Sequence, residues 1–190
     1  MNVMTAPDVW SGQDRALTVA DMENMPDDEF RYELDDGVLI VSPAPSNLHQ
    51  RAVTRLAVLL SAACPAEFEV LAGPGVNINR HQHRVPDMAV VRTAAMDTFF
   101  QVVPPLLAVE VASPRTRLYD RNRKKDVYEQ FGIPVYWIVE PDPDKAELTV
   151  FELRGGRYRR VAHVTGDEAF EAERPFPVTV TPSALVRPGR

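Results

Sequence analysis

The sequence predicts an α/β fold of the α+β kind: one domain built on a mixed sheet, with flanking helices and extra β-hairpins. Two turn signals, Asp35-Asp36-Gly37 and Arg154-Gly155-Gly156, each separate β-prone runs. Helical periodicity of any length is confined to 47–63 and 116–131. Candidate strands outnumber helices, and the runs 87–91, 106–111 and 135–139 are nearly all apolar, as buried strands are.

In order along the chain, residues 1–17 lack periodicity and read as a flexible N-terminal arm. Thr18 with Asp21 forms an acidic capping box for a short helix to Met25, which Pro26 stops. Phe30–Leu34 and Val38–Val41 make the first hairpin. Ser46 caps a helix from Asn47 to about Ala63, with Leu48, Val53, Leu56, Leu59 and Leu60 on its apolar face and Arg51 and Arg55 on a more exposed one. Short strands follow at Phe68–Ala72, Val76–Ile78, Asp87–Val91 and Leu106–Val111, with His81-Gln82-His83 in a polar turn. Thr116 caps a helix to Phe131, closed by Gly132 and Pro134. Val135–Val139 is a buried strand, Glu147–Leu153 and Arg157–Val164 the second hairpin, and Pro175–Val180 the last strand. A Ser183-capped turn ends the domain, assigned to residues 18–185, before a basic tail at 186–190.

Composition narrows the class. At 190 residues, 45% hydrophobic and 25% charged, the chain can bury a core without staples. No apolar run approaches the ~20 residues a bilayer needs, and Met1–Gln13 carries Asp8 and no basic start. The single cysteine, Cys64, excludes an internal disulfide and reads as a small buried hydrophobe. These features point to a cytoplasmic protein with no membrane partner. The net charge of −6, taken as an average, argues against nucleic acid, but residues 1–40 hold ten acids and two bases. Without that segment the chain is slightly basic.

Two acids stand where charge is costly. Asp87 follows Pro86 at the head of Met88-Ala89-Val90-Val91, and Glu110 lies inside Leu106–Val111. An ionised carboxylate in a buried strand needs a partner. Each alone would suit an arginine or a strand end. On neighbouring strands the two would also converge on a hard divalent cation such as Mg2+, with Mn2+ as the alternative. Between Arg115 and Lys125 six basic residues face only Asp120. Arg117, Arg121 and Lys124 or Lys125 recur at helical spacing, a stripe able to hold a phosphodiester or simply to meet solvent.

Tyr32-Glu33-Leu34, Gly37, Ser42-Pro43-Ala44-Pro45, His49-Gln50, Pro86-Asp87, Val109-Glu110-Val111, Ser113-Pro114, Asp120-Arg121, Lys124, Tyr128, Gly132-Ile133-Pro134 and Tyr136-Trp137-Ile138-Val139 stand in a characteristic order. From about residue 18 to 185 the chain resembles the Uma2 family of restriction-endonuclease-like proteins, within the PD-(D/E)XK nuclease superfamily. The resemblance implies a restriction-endonuclease-like core. It implies that Asp87 and Glu110 are catalytic metal ligands, that Glu33 assists the metal, and that His49 either touches phosphate or caps and packs. The superfamily lysine, two residues after the acid, is replaced by Ala112. The resemblance assigns that role to Lys124 from the following helix, with Lys125 as the fallback. Tyr136 and Trp137 are expected to pack under that helix.

Two functions follow. One is a metal-dependent endonuclease acting on DNA, with Arg117, Arg121, Lys125 and His49 binding substrate. The other is a catalytically inactive nuclease-fold module that binds nucleic acid or a protein partner. Cutting both strands would favour a homodimer, although the sequence shows no dimer seam.

Overall fold

The computed structural model describes residues 15–22, 25, 30–42, 44–96, 100–112 and 120–188. The 1–14 part of the expected arm, Pro26 and the Thr116 cap lie outside them. Helix α1 covers Val19–Met22, and Met25, the predicted end, is not helical. Its acidic box forms nonetheless: the Thr18 N–H and hydroxyl both donate to Asp21 Oδ2, at 2.7 and 2.8 Å. Strands β1 (Arg31–Asp35) and β2 (Val38–Ser42) pair antiparallel with Asp35 opposite Val38. Asp36 and Gly37 take φ of 49° and 80°, the left-handed pair that a two-residue type I′ hairpin requires.

Helix α2 (Asn47–Ala63) starts where predicted, with Ser46 Oγ accepting from the His49 N–H at 3.3 Å. It buries His49, Ala52, Leu56 and Leu60. Cys64 follows at its C-terminal cap and is half-buried at the edge of the core, not fully buried as expected. Burial, with Glu69 and Glu67 nearby, pushes its thiol pKa up, so it is not an activated nucleophile.

Strands β3 (Phe68–Ala72), β4 (Val76–Asn79), β5 (Gln82–Arg84), β6 (Met88–Arg92) and β7 (Leu107–Val111) follow. Here one expectation is corrected: of His81-Gln82-His83, only His81 lies in the turn. Gln82 and His83 begin a buried strand between β1 and β4. Three polar residues show no apolar alternation, because their burial is made tolerable by specific partners. His83 Nδ1 lies 2.6 Å from Asn77 Oδ1, and Gln82 Nε2 donates to Asp36 Oδ1 at 2.9 Å.

A π-helical turn, Asp120–Lys124, leads into helix α3 (Lys125–Phe131). Gly132, at φ 88°, closes it, with the Ile133 N–H reaching back to the Tyr128 carbonyl at 3.1 Å. Then come β8 (Val135–Glu140), β9 (Glu147–Arg154) and β10 (Arg157–Thr165), the last two joined through Gly155-Gly156. Short β11 (Phe170–Ala172) pairs with β12 (Val178–Val180). The last strand starts later than predicted because Pro175 and Pro177 have no N–H to pair. Helix α4 (Pro182–Val186) starts after Thr181, whose side chain makes no cap bond, and Ser183 lies inside the helix with its hydroxyl on Asp167. Arg51 and Arg55 hold α4 by donating to the Val186 and Ala184 carbonyls at 3.0 and 2.9 Å.

Six strands form a mixed sheet in the order β10-β9-β8-β7-β6-β3, in which only β7 and β8 run parallel. β2-β1-β5-β4 form a second sheet. One face of the larger sheet packs Met88, Val109, Trp137 and Leu148 against Leu56 and Leu60 of α2 and against Val180 and Leu185. The opposite face packs Ala108, Tyr136 and Ile138 against Tyr128 of α3. Adjacent strand residues face opposite ways. Tyr136 therefore lies under α3, 5.2 Å from Tyr128 between ring centres, whereas Trp137 turns away to Phe170. The expectation that both pack under α3 is corrected for Trp137.

Candidate active site

The register of β6 on β7 pairs Met88 with Val109, Ala89 with Ala108 and Val90 with Leu107. Asp87 directly precedes Met88 and Glu110 directly follows Val109, so the two acids lie at the same end of the strand pair. Each buried carboxylate needs its own compensation.

Asp87 is buried at the mouth of β6. Its Oδ1 accepts from Arg31 Nη1 at 2.7 Å; its Oδ2 accepts from the Val111 N–H at 2.7 Å and lies 3.1 Å from His49 Nε2. A carboxylate only accepts, so Nε2 of His49 carries the proton. Burial raises the Asp87 pKa, but the His49 hydrogen bond and the charges of Arg31, His49 and Lys124 outweigh it and hold it at about 2.

Glu110 is 1% exposed and Lys124 2%. Lys124 Nζ donates to Glu110 Oε2 at 2.9 Å, and the Tyr128 hydroxyl donates to Glu110 Oε1 at 2.7 Å. Burial, then the Glu110 and Glu33 charges, raise the Tyr128 pKa and keep its hydroxyl protonated as a donor. Lys124 also lies 3.4 Å from Glu33 Oε1, which accepts the Val85 N–H at 2.8 Å. Burial alone would raise the Glu33 pKa; Lys124, Arg31, the Val85 N–H and Arg84 together bring it below its usual value. Glu33, Asp87, Glu110, Lys124 and His49 are thus gathered at the junction of the two sheets.

The basic segment distributes its charges differently from a single stripe. A π turn, bonded i→i+5, advances by a smaller angle per residue than an α-helix, so side chains three or four apart no longer fall on one stripe. Arg121 is engaged by Glu140, with Glu147 at 3.9 Å. Arg123 donates to Asp35 Oδ1 from Nη2 at 2.7 Å and also meets Asp36. Lys124 points between them into the buried cluster, and Lys125 sits 5.2 Å over the Phe151 ring. Arg117 lies outside the described residues.

Two further groups belong to this site. Arg31 faces Asp87, and Arg84, fully buried, donates to the Leu34 carbonyl at 2.8 Å and to Asp35 Oδ1 at 2.6 Å. The only trace of them in the sequence is an arginine beside an apolar or acidic strand residue, a common surface pattern. A cleft of about 230 Å³ opens beside Asp87, lined by Arg31, Pro45, His49, Gln50 and Gly73 among others.

Glu33, Asp87 and Glu110 offer only hard oxygen donors, the set that suits Mg2+ or Mn2+. Lys124 and Arg31 offset two of the three charges, leaving one net negative charge for a cation to meet. The donor chemistry fits. Among the described residues no three His, Cys, Asp or Glu side chains are already gathered to hold an ion, so uptake requires these carboxylates to turn from their present partners. No helix among the described residues is long and apolar enough to cross a membrane.

The Uma2 family model, described as "Putative restriction endonuclease", matches residues 19–185. The fold resembles the crystal structure of a "putative nuclease belonging to DUF820" from Anabaena variabilis, with a TM-score of 0.70 and 16% identity over 90% of this chain and 97% of that one. No curated protein matches the chain.

Proposed function

The chain belongs to the Uma2 family, and on that premise we propose that it is a divalent-metal-dependent endonuclease hydrolysing phosphodiester bonds in DNA. The observation that carries the reading is the burial of Asp87 and Glu110 at one end of neighbouring strands, with Lys124 delivered from the π-helical turn 2.9 Å from Glu110. A structural ion pair would need one acid and one base. Here Lys124 meets two carboxylates, Glu33 and Glu110, and a third, Asp87, lines an open cleft within reach of its charge.

Asp87 and Glu110 would hold Mg2+ or Mn2+, with Glu33 assisting. Such a cation, when bound, polarises the phosphate and makes water a better nucleophile. Lys124 supplies positive charge next to Glu110, where negative charge on the phosphoryl oxygens would develop. Tyr128 fixes the Glu110 carboxylate by holding its second oxygen. His49, from the first turn of α2, lies at the cleft wall, where its Nε2–H, held by Asp87 at 3.1 Å, would turn to a phosphate as Asp87 takes up the cation. Arg117, Arg121 and Lys125 are assigned to contacts further along the substrate.

The test is incubation of supercoiled plasmid with Mg2+ or Mn2+, with and without chelator, alongside Asp87→Asn. Nicking or linearisation abolished by chelator and by the substitution is expected. Cleavage that survives both overturns the reading. DNA binding without cleavage in the parent would instead favour the inactive module.

A further inference from the structure

The arginine that occupies Asp87 has a second ligand within reach. Arg31 Nη1 donates to Asp87 Oδ1 at 2.7 Å, while its side chain remains about a third exposed and lines the 230 Å³ cleft. Among the described residues, Arg31 Nε and His49 Nδ1 are buried without hydrogen-bond partners. The same cleft is bounded by Pro45, His49 and Gln50 at the start of the 17-residue helix α2. The His49 and Gln50 N–H groups are taken by Ser46 Oγ and the Ser46 carbonyl, at 3.3 and 3.0 Å, so the helix lends this rim the positive end of its dipole and not free donors. Gly73 adds no side chain, and its N–H is tied to the Asp87 carbonyl at 3.1 Å, which holds the opposite rim in place. The Arg31 guanidinium, the His49 ring and the first turn of α2 thus line one cleft beside one carboxylate.

We propose that this cleft is a phosphate subsite in which Arg31 exchanges partners, pairing with Asp87 before a cation binds and with a phosphodiester oxygen of the substrate afterwards. The proposal rests on the nuclease reading. A cation on Asp87 and a guanidinium on Asp87 compete for the same oxygens, so cation binding displaces Arg31. The displaced fork, planar and bidentate, matches a phosphate better than a lysine would. Arg31 then opposes metal binding and favours substrate binding, two effects of opposite sign from one side chain.

The experiment compares parent, Arg31→Met and Arg31→Lys as full-length chains. Mn2+ affinity is measured by calorimetry, and binding of a short labelled DNA duplex by anisotropy across a KCl series, in calcium to suppress turnover. Arg31→Met should take up Mn2+ several-fold more tightly, bind duplex about tenfold more weakly, and show a salt slope shallower by about one. Arg31→Lys should keep the parental Mn2+ affinity and salt slope but bind duplex several-fold more weakly; it carries the test if Arg31→Met does not fold. Parental duplex affinity in the variants, or weakened Mn2+ uptake in Arg31→Met, overturns the proposal and leaves the nuclease reading standing. A parent that takes up no Mn2+ overturns both.

Discussion

Lys124 Nζ lies 2.9 Å from Glu110 Oε2 and 3.4 Å from Glu33 Oε1, so one helical lysine joins the six-stranded and four-stranded sheets through two buried carboxylates. Position 112, where the superfamily lysine would stand, holds a buried alanine packed beneath α3. On the proposed nuclease reading, Lys124 supplies from the π-helical turn the charge that position 112 lacks.

Replacing Lys124 by Ala should lower turnover on plasmid by about 10²–10³-fold, while Mn2+ affinity stays the same or tightens. Glu110 and Glu33 would lose a buried cation, which costs about 3–5 kcal/mol of stability. Denaturant midpoints separate this loss from the kinetic one. Parental turnover in the folded variant would remove Lys124 from the reaction.

Acid should destabilise the protein in two windows. Burial, with Arg84 also lowering and Glu33 raising, depresses the His83 pKa from 6.5 to about 4. The unfolded chain therefore takes this proton first, and the contribution present above pH 6.5 is lost progressively down to about 4. It amounts to about 3 kcal/mol at most. Asp87, held at about 2 against its usual 3.8, contributes above pH 3.8 and loses that contribution as pH falls through about 2, an effect of about 2 kcal/mol. Stability measured against pH should lose its upper slope in His83→Gln and keep the lower one. An unchanged upper slope would show that another group sets it.

Asp35 is the anchor of two arginines: Arg84 Nη2 at 2.6 Å and Arg123 Nη2 at 2.7 Å. Asp35→Ala leaves the fully buried Arg84 without its carboxylate partner there, a loss of about 3 kcal/mol. For a chain of this size that lowers Tm by about 6–12 °C. Arg123→Gln, at a more exposed position, should cost under about 1 kcal/mol yet reduce turnover, because Arg123 positions the turn that carries Lys124. Scanning calorimetry and single-turnover cleavage distinguish the two effects.

At Gly37, with φ 80°, an added Cβ would sit 2.6 Å from Ala16 Cβ. Gly37→Ala should lose about 2 kcal/mol through the left-handed backbone alone, and more through displacement of the 15–18 segment, whose Leu17 N–H donates to the Gly37 carbonyl at 2.9 Å. Mn2+ affinity should not change. A parental denaturation midpoint would show that the hairpin turn is not under this constraint.

What the sequence determined by itself was local. Asp36-Gly37 and Gly155-Gly156 specify their turns through φ, Ser46 and Gly132 delimit their helices, and the apolar runs identify the central strands. A carboxylate inside such a run signals a site because burying it uncompensated is too costly, and family order pointed to Glu33, His49 and Lys124. Tertiary structure decided who compensates whom. Arg31 reaches Asp87 across 56 positions, and the π turn sends Arg121, Arg123 and Lys124 to three different acids rather than along one stripe. Gln82 and His83 are strand rather than turn because partners distant along the chain bury them. Ion-pair choice depends on distance in space and on desolvation, and neither is written in the spacing of residues along the chain.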